Sequence, residues 1–234
     1  MSIFSGPGVN TSGLQLLLDA INTKSYSGSG TTWTDITANR SVYAASNYTY
    51  PTWSSGFFTF VNNGVVQNNI YSSVQNITTS TQTTYTRIGW FYLTGYSSDW
   101  SPIIQNSIGN NADMCLCVSN NKLTFHQYTT TNDYNITGST TINLNTWYQG
   151  VICVNRTAST VSLYVNGLLD STINTVSIGN SASDTIVVGG SSTDSYGGNR
   201  MFKGRISQVS HYNTILTDDQ ISQNFNAFRG LYGL

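Results

Sequence analysis

The chain has 234 residues, of which only 8% are charged, and its formal net charge is −1. Neutralising nucleic-acid phosphates requires a basic face, so this balance argues against a nucleic-acid partner. The hydrophobic fraction of 38% and the aromatic fraction of 12% are too high for a disordered chain. A chain of this length without a linker-like stretch suits one β-sandwich or barrel domain.

The chain carries no signal for secretion or membrane insertion. The first residues lack both the basic and the apolar region of a signal peptide. No stretch approaches the ~20 apolar residues needed to span a bilayer. The three cysteines, Cys115, Cys117 and Cys153, lack the spacing of a disulfide framework and are interpreted as small core residues.

Short apolar runs separated by turn residues predict a series of strands. The first is Leu14 to Asp19, and residues 86–94 are apolar on both faces, which is typical of a central strand. Other predicted strands lie within residues 40–45, 56–61, 102–105, 113–119, 122–128, 147–171, 185–190 and 204–212. Within 147–171, Val161, Leu163 and Val165 share one face before a turn, and residues 168–171 return after it.

Two turns and one irregularity stand out among these strands. Asn120–Asn121 and Asn166–Gly167 predict tight two-residue turns, since Asn and Gly tolerate positive φ. In the last strand Ile206 and Val209 are three residues apart where alternation requires two, so we expect a bulge between them.

One helix is predicted after the last strand. Thr217 and Gln220 form a capping box, Leu216 and Ile221 form a hydrophobic staple, and Arg229 with Gly230 is expected to end the helix. Its apolar face is formed by Ile221, Phe225 and Phe228. The predicted fold is therefore an all-β antiparallel sandwich with one short C-terminal α-helix packed across a sheet.

Four segments resemble laminin-G-like, concanavalin A-like jelly rolls of the kind found in phage virion structural proteins. They are GLQLLLDAINTKSYSGSGTTWTDIT (13–37), SSGFFTFVNNG (54–64), NTWYQGVICVNRTASTVSLYVNG (145–167) and FKGRISQVSHYNTILTDDQISQNFNAFRGLYG (202–233). The resemblance implies a two-sheet jelly roll over residues 13–234. Family members mostly bind glycans, dock on other proteins or build particles, and some are glycosidases.

Two positions depart from the family pattern. Many relatives have an Asp that can join a structural calcium site where this chain has Ser207, and an aliphatic residue where it has His211. The first change weakens the case for calcium, and His211 is expected to be a core or half-buried histidine, not a catalytic one. Residues 1–12 precede the first matching segment, so they are predicted to be an assembly arm that docks on other proteins through Ile3, Phe4 and Pro7.

The acidic residues argue against catalysis. Glycosidases use paired carboxylates, but all ten acids are aspartates and the one adjacent pair, Asp218–Asp219, is explained by the helix start. His126 and His211 lack neighbours at metal-ligand spacing. No catalytic residue and no cofactor are predicted, with a structural calcium at Asp19 and Asp35 left open.

Aromatic residues in loop-like segments are the candidate glycan-binding residues, because rings stack on sugar faces. They are Tyr96, Trp100, Tyr134 and Tyr196. Plain packing remains the alternative for each, since Tyr and Trp are also common in sandwich strands and at subunit contacts.

The sequence favours a non-enzymatic virion structural protein, such as a capsid decoration, fibre or tail-appendage subunit on the virion surface. Scarce charge suits assembly through neutral contacts with other virion proteins and with copies of itself. Adhesion to host-surface polysaccharide is compatible with that role. The alternative is a stand-alone carbohydrate-binding lectin or adhesin domain.

Overall fold

Strands dominate the computed structural model, which describes residues 8–38, 40–42, 44, 49–63, 70–72, 77, 79–108, 111–128, 133–174, 178–179, 184–190 and 200–234. The strands are β1 (Leu14–Asp19), β2 (Trp33–Asp35), β3 (Arg40–Val42), β4 (Thr52–Ser54), β5 (Phe57–Phe60), β6 (Ile70–Ser72), β7 (Thr84–Leu93), β8 (Ser101–Ile108), β9 (Asn111–Ser119), β10 (Lys122–Tyr128), β11 (Asp133–Thr141), β12 (Trp147–Asn155), β13 (Thr160–Val165), β14 (Leu168–Asn174), β15 (Ile186–Val188) and β16 (Gly204–Tyr212). Helix α1 (Asp218–Phe228) and a 3₁₀ turn (Arg229–Leu231) follow.

The strands form two main antiparallel sheets. The eight-stranded sheet has the order β14-β13-β12-β7-β16-β5-β4, and β1 pairs with the far end of β16. The six-stranded sheet has the order β11-β10-β9-β8-β15-β6, and β2 pairs with β3 separately. This arrangement confirms the predicted two-sheet jelly roll.

Strand β7 is the predicted central strand, and both of its faces are buried. Tyr85, Phe91 and Leu93 enter the main core between the sheets. Ile88 and Trp90 are fully covered on the outer face of the eight-stranded sheet. Burial on both faces explains why this segment is apolar at successive positions instead of alternating.

A buried polar cluster interrupts the core around Arg87. Its Nε donates to His211 Nδ1 at 3.2 Å, and its two terminal nitrogens donate to the Met114 carbonyl and to Asn106 Oδ1. His211 Nε2 lies 2.8 Å from Gln82 Oε1. Burial and the neighbouring Arg87 charge hold the pKa of His211 well below its usual range. His211 is thus the core histidine that the sequence predicts.

The predicted irregularities of the strands are confirmed. The pairing of β16 with β7 shifts register between Ile206 and Gln208, and this bulge lets both Ile206 and Val209 enter the main core. Asn120 and Asn121 have φ values of 48° and 55°, as a tight hairpin turn requires.

The N-terminal half of α1 also agrees with the sequence. Gln220 N–H bonds Thr217 Oγ1 at 3.3 Å, and Thr217 N–H bonds Gln220 Oε1 at 2.9 Å, completing the capping box. Ile221 and Leu216 pack together with Ile88 on the eight-stranded sheet. The helix therefore covers the outer face of this sheet, as expected for its apolar stripe.

Helix α1 ends at Phe228, next to the predicted position, but Gly230 does not cap it in a left-handed conformation. Arg229 is the C-cap and keeps right-handed geometry, and the chain continues as the 3₁₀ turn until Gly233 takes a φ of +74°. The extra turn brings the Tyr232 ring onto Trp90, with the ring centres 4.3 Å apart. Tyr232 also donates to Ser207 Oγ at 2.8 Å, so the tail is held by contacts to the sheet.

The chain segment before β1 is fastened to the same helix. Asn10 N–H bonds Asn224 Oδ1 at 2.8 Å, and Gln223 Nε2 donates to the Gly8 carbonyl at 2.6 Å. The proposed arm residues Ile3, Phe4 and Pro7 lie outside the described residues.

Neither helix in the described part of the chain is long and apolar enough to cross a membrane.

Candidate binding site at the rim of the six-stranded sheet

An open depression of about 370 Å³ lies where the β7–β8 loop meets the β9–β10 turn. Its lining residues are Tyr96, Ser97, Asn120 and Asn121. The Tyr96 side chain is 43% exposed, so an aromatic ring, two amides and a hydroxyl share one small concave surface. These are the groups that stack on and hydrogen bond to neutral polyols.

Hydrogen bonds fix the aromatic side of this depression. The Tyr96 hydroxyl donates to the Ile142 carbonyl at 2.6 Å, and Ile142 N–H donates to the Asn121 carbonyl at 2.8 Å. The tyrosine is therefore tied to the same segment as the asparagine turn. A ring held in this way loses little freedom when a ligand stacks on it.

The β7–β8 loop is held by the segment before β16. Thr94 N–H bonds the Lys203 carbonyl at 3.1 Å, and Ser97 Oγ donates to the Met201 carbonyl. The hydrocarbon part of Lys203 lies against Gly95, where a Cβ would come within 2.9 Å of Lys203 Cδ. The loop is consequently shaped by contacts between residues about a hundred positions apart, which sequence patterns do not reveal.

Trp100, the second predicted glycan-binding residue, packs on the outer face of the six-stranded sheet. Its ring stacks on His126 with centres 4.1 Å apart, and the Arg200 guanidinium lies 4.3 Å from its centre. Cys115 and Cys117 lie beneath it. These contacts favour the packing alternative for Trp100.

His126 is buried beneath Trp100 and faces Asp133, with Nε2 2.8 Å from Asp133 Oδ1. Burial lowers the pKa of His126, and the nearby Arg200 charge acts in the same direction, while Asp133 opposes both. The imidazole is therefore neutral near neutral pH.

Tyr134 does not join the depression. Tyr134 lies on β11 opposite Gln127, six positions along β10 from Asn121. At about 3.3 Å per residue this places it roughly 20 Å from the turn. Tyr196 lies outside the described residues. Of the three predicted residues that the structure describes, Tyr96 alone thus lies in the depression.

Asp35 does not fit a calcium site. Its carboxylate is fully buried, pairs with Arg40 at 2.6 Å and accepts the Leu17 N–H at 2.9 Å. Arg40 supplies the positive charge that an ion would supply. Asp19 accepts the Ile21 N–H at 3.0 Å, and burial raises the pKa of its carboxyl group. Calcium binding at Asp19 stays a prediction.

The described residues offer little for other site chemistry. No cluster of three or more His, Cys, Asp or Glu that could hold a metal occurs among them. The lining of the depression, within the described ranges, includes no carboxylate, imidazole or thiol. The arrangement can orient a polyol through stacking and hydrogen bonds.

Sequence reasoning missed a second set of aromatic residues, on the outer face of the eight-stranded sheet. Arg205 lies 4.7 Å from the ring centre of Phe57 and 4.8 Å from that of Tyr92. Trp147 packs on Tyr232 at 4.7 Å. The sequence signal for this set was the alternation of aromatic residues in β7, where Trp90 and Tyr92 lie on the same face. Because Arg205 and Tyr232 already contact these rings, we interpret this set as packing.

Comparison with known proteins agrees with the fold. The family model described as the concanavalin A-like lectin/glucanases superfamily matches residues 64–222. The binding domain of botulinum neurotoxin DC in complex with rat synaptotagmin II has a TM-score of 0.68 at 18% identity, covering 92% of this chain and 51% of its own. The same domain in complex with SialylT gives 0.67 at 18% identity, with the same coverage.

A sialidase from Trypanosoma rangeli is also similar, with a TM-score of 0.67 at 14% identity over 96% of this chain and 34% of the enzyme. The chain therefore spans about half of the neurotoxin domains and about a third of the sialidase. Among curated proteins no match is found. At these identities the structural similarity shows the fold.

Proposed function

Because the chain belongs to the concanavalin A-like lectin/glucanase superfamily, we propose that it is a non-enzymatic carbohydrate-binding module. The observation that carries this proposal is the rim depression, where the exposed Tyr96 ring lies beside two amides and a hydroxyl and, among the described residues, no carboxylate. In this proposal the ring stacks on the apolar face of a sugar. The amides of Asn120 and Asn121 bond its hydroxyls.

The geometry supports binding more than turnover. Glycoside hydrolysis requires one carboxyl group as acid and a second as nucleophile or base on either side of the bond. The carboxylates of Asp170 and Asp184 are both occupied, each accepting hydrogen bonds from two successive residues, Ser139–Thr140 and Thr79–Ser80. The neurotoxin domains of the same fold, in complexes with a protein and with SialylT, support a receptor-binding use of this architecture.

Replacing Tyr96 by Ala is expected to weaken saccharide binding about three- to tenfold, because a stacked aromatic ring contributes ~0.5–1.5 kcal/mol. A glycan array identifies the saccharide, and titration calorimetry of the wild type and the variant measures the affinity. Assays for new reducing ends on the same saccharides are expected to show no release.

The matched control for this experiment is Tyr128→Ala. Tyr128 is 38% exposed and lies at the other end of β10, away from the depression. Equal weakening in both variants would contradict the site, and an array without any bound glycan would contradict the function. Release of reducing ends would show that the protein is an enzyme and contradict the non-enzymatic role.

We further propose that this module is a structural component of a virus particle surface, where it assembles with other virion proteins and with its own copies. Support comes from the low charged fraction of 8% and from the resemblance of its first and last segments to virion jelly rolls. Neutral surfaces of this kind need little desolvation of charge on assembly.

Deletion of residues 1–7 tests the assembly role and keeps the described hydrogen bonds between the N-terminal segment and α1. Residues 8 and 10 hold the hydrogen bonds to α1, so this deletion retains them, whereas removal of residues 1–12 would break them. We expect an unchanged melting temperature and a loss of incorporation, measured by mass spectrometry of purified particles. Full incorporation of the truncated protein would exclude the arm as the docking element.

A further inference from the structure

Cations lie near the rim depression. The chain has nine Lys and Arg residues in total. Three of them are close to the lining residues: Lys122 follows Asn121, Lys203 lies against the β7–β8 loop, and Arg200 lies over Trp100. Which of these charges is available to a ligand depends on its neighbours.

Lys203 is the cation nearest the aromatic side. Its Nζ would lie 3.4 Å from a Cβ on Gly95, the residue before Tyr96, and its side chain is exposed. It takes part in none of the three ion pairs found in the described ranges. Its charge is thus available to a ligand that stacks on Tyr96.

The other two cations differ in their surroundings. Lys122 Nζ donates to the Ser139 carbonyl at 2.6 Å and to Thr141 Oγ1 at 2.9 Å, which are neutral groups. Arg200 Nε lies 3.2 Å from Asp99 Oδ2, so Asp99 offsets part of its charge.

Asp170, which accepts hydrogen bonds from Ser139 and Thr140, lies beside the groups that Lys122 contacts and offsets part of the Lys122 charge. Among these three cations, Lys203 is therefore the one that has neither an ion-pair partner nor such a neighbouring carboxylate in the described part of the rim.

We propose that the rim depression takes an acidic saccharide, one whose carboxylate or sulfate group lies near Lys203 while its ring stacks on Tyr96. This inference rests on the proposed carbohydrate-binding function and specifies its ligand class. An ammonium group that bonds a ligand anion shortens and strengthens the hydrogen bond. Acidic and neutral sugars are then distinguished by charge more than by shape.

The experiment measures binding of the full chain to three immobilised polymers: polygalacturonate, which carries carboxylates, sulfated dextran, and neutral dextran. We compare the wild type with Lys203→Gln, Tyr96→Ala and the control Lys24→Gln, which removes an exposed cation from the turn after β1. Each protein is tested at low and high salt, because exposed charge pairs are screened.

We expect at least one acidic polymer to bind more tightly than neutral dextran, and Lys203→Gln to weaken that binding about two- to fivefold, the range of an exposed charge pair. Lys24→Gln should leave it unchanged. Retention of polygalacturonate or of sulfated dextran identifies which anion is used. Tyr96→Ala should weaken binding of acidic and neutral polymers alike.

Three results would overturn the inference. Binding of neutral dextran alone would refute the acidic ligand and leave the carbohydrate-binding function standing. Equal losses in Lys203→Gln and Lys24→Gln would show attraction to the whole surface instead of a site. Absence of binding to all three polymers, together with an empty glycan array, would refute both proposals.

Discussion

Trp90→Ala is expected to lower the free energy of unfolding by about 3–5 kcal/mol, the usual cost of truncating a buried aromatic residue. Trp90 is fully buried on the outer face of the eight-stranded sheet. Its ring stacks on Phe225 of α1 at 5.6 Å and on Tyr232 of the tail at 4.3 Å. Its removal therefore leaves a cavity beneath both C-terminal elements.

Urea unfolding of the wild type and variant measures this loss. A double-mutant cycle with Tyr232→Ala separates the contact between the rings from the cavity, and we expect their energies to be non-additive. The control cycle pairs Trp90→Ala with Ile136→Ala, which lies in the core of the other sheet. The losses in unfolding free energy of these two substitutions should be additive. A loss below about 1 kcal/mol, far under the usual aromatic cost, would show that the helix is not fastened through Trp90.

Acidification from neutral pH is expected to destabilise the fold well before its carboxylates titrate. The pKa values of His126 and His211 lie below the ordinary value of 6.5 in the folded protein, chiefly because of burial. The unfolded chain therefore binds protons that the folded chain rejects. The contribution of both histidines to stability is complete above pH 6.5 and falls as the pH drops below it, approaching about 1.4 kcal/mol per pH unit for His211 and less for His126, whose pKa Asp133 partly restores.

The carboxylates contribute in a lower window. The hydrogen bonds that Asp170 and Asp184 accept lower their pKa values below 3.8, despite opposing burial, so their stabilisation is lost only below that pH. Asp19 acts in the opposite direction and at higher pH, because burial raises its pKa above 3.8. It therefore favours the folded state slightly as the pH falls towards 3.8.

Urea unfolding between about pH 7.5 and about pH 4 measures the slope predicted by this linkage. His211→Gln keeps a polar side chain beside Arg87 but removes one titrating group, so its curve should be flatter than that of the wild type. His126→Gln provides the same comparison at the rim. A stability that stays constant from pH 6.5 to about 4.5 would show that neither histidine is buried in neutral form.

The sequence predicted correctly those structural features that depend only on residues close together in the chain. The capping box at Thr217 and the turn at Asn120–Asn121 use side chains within four residues, and both are confirmed. The capping of α1 by Gly230 was not predicted correctly, because on local grounds a glycine at this position is a suitable left-handed cap. The contact between Tyr232 and Trp90, far apart in sequence, accompanies a further turn instead.

The candidate site was predictable only in part for the same reason. Tyr96 was identified as a loop aromatic, and Asn120–Asn121 as a turn, but their proximity arises from hydrogen bonds through Ile142. Trp100 was indistinguishable from Tyr96 in the sequence. Its packing depends on His126 and Arg200, which lie 26 and 100 positions away.

The hydrogen bonds from Gly8 and Asn10 to α1 bring the two ends of the described chain together. A fusion partner attached at residue 8 or after residue 234 would therefore leave the domain beside α1. A short peptide joining the ends, with new ends opened in an exposed loop, would give a circular permutant with the same sheets. The domain is accordingly suited to insertion within a loop of a larger host protein.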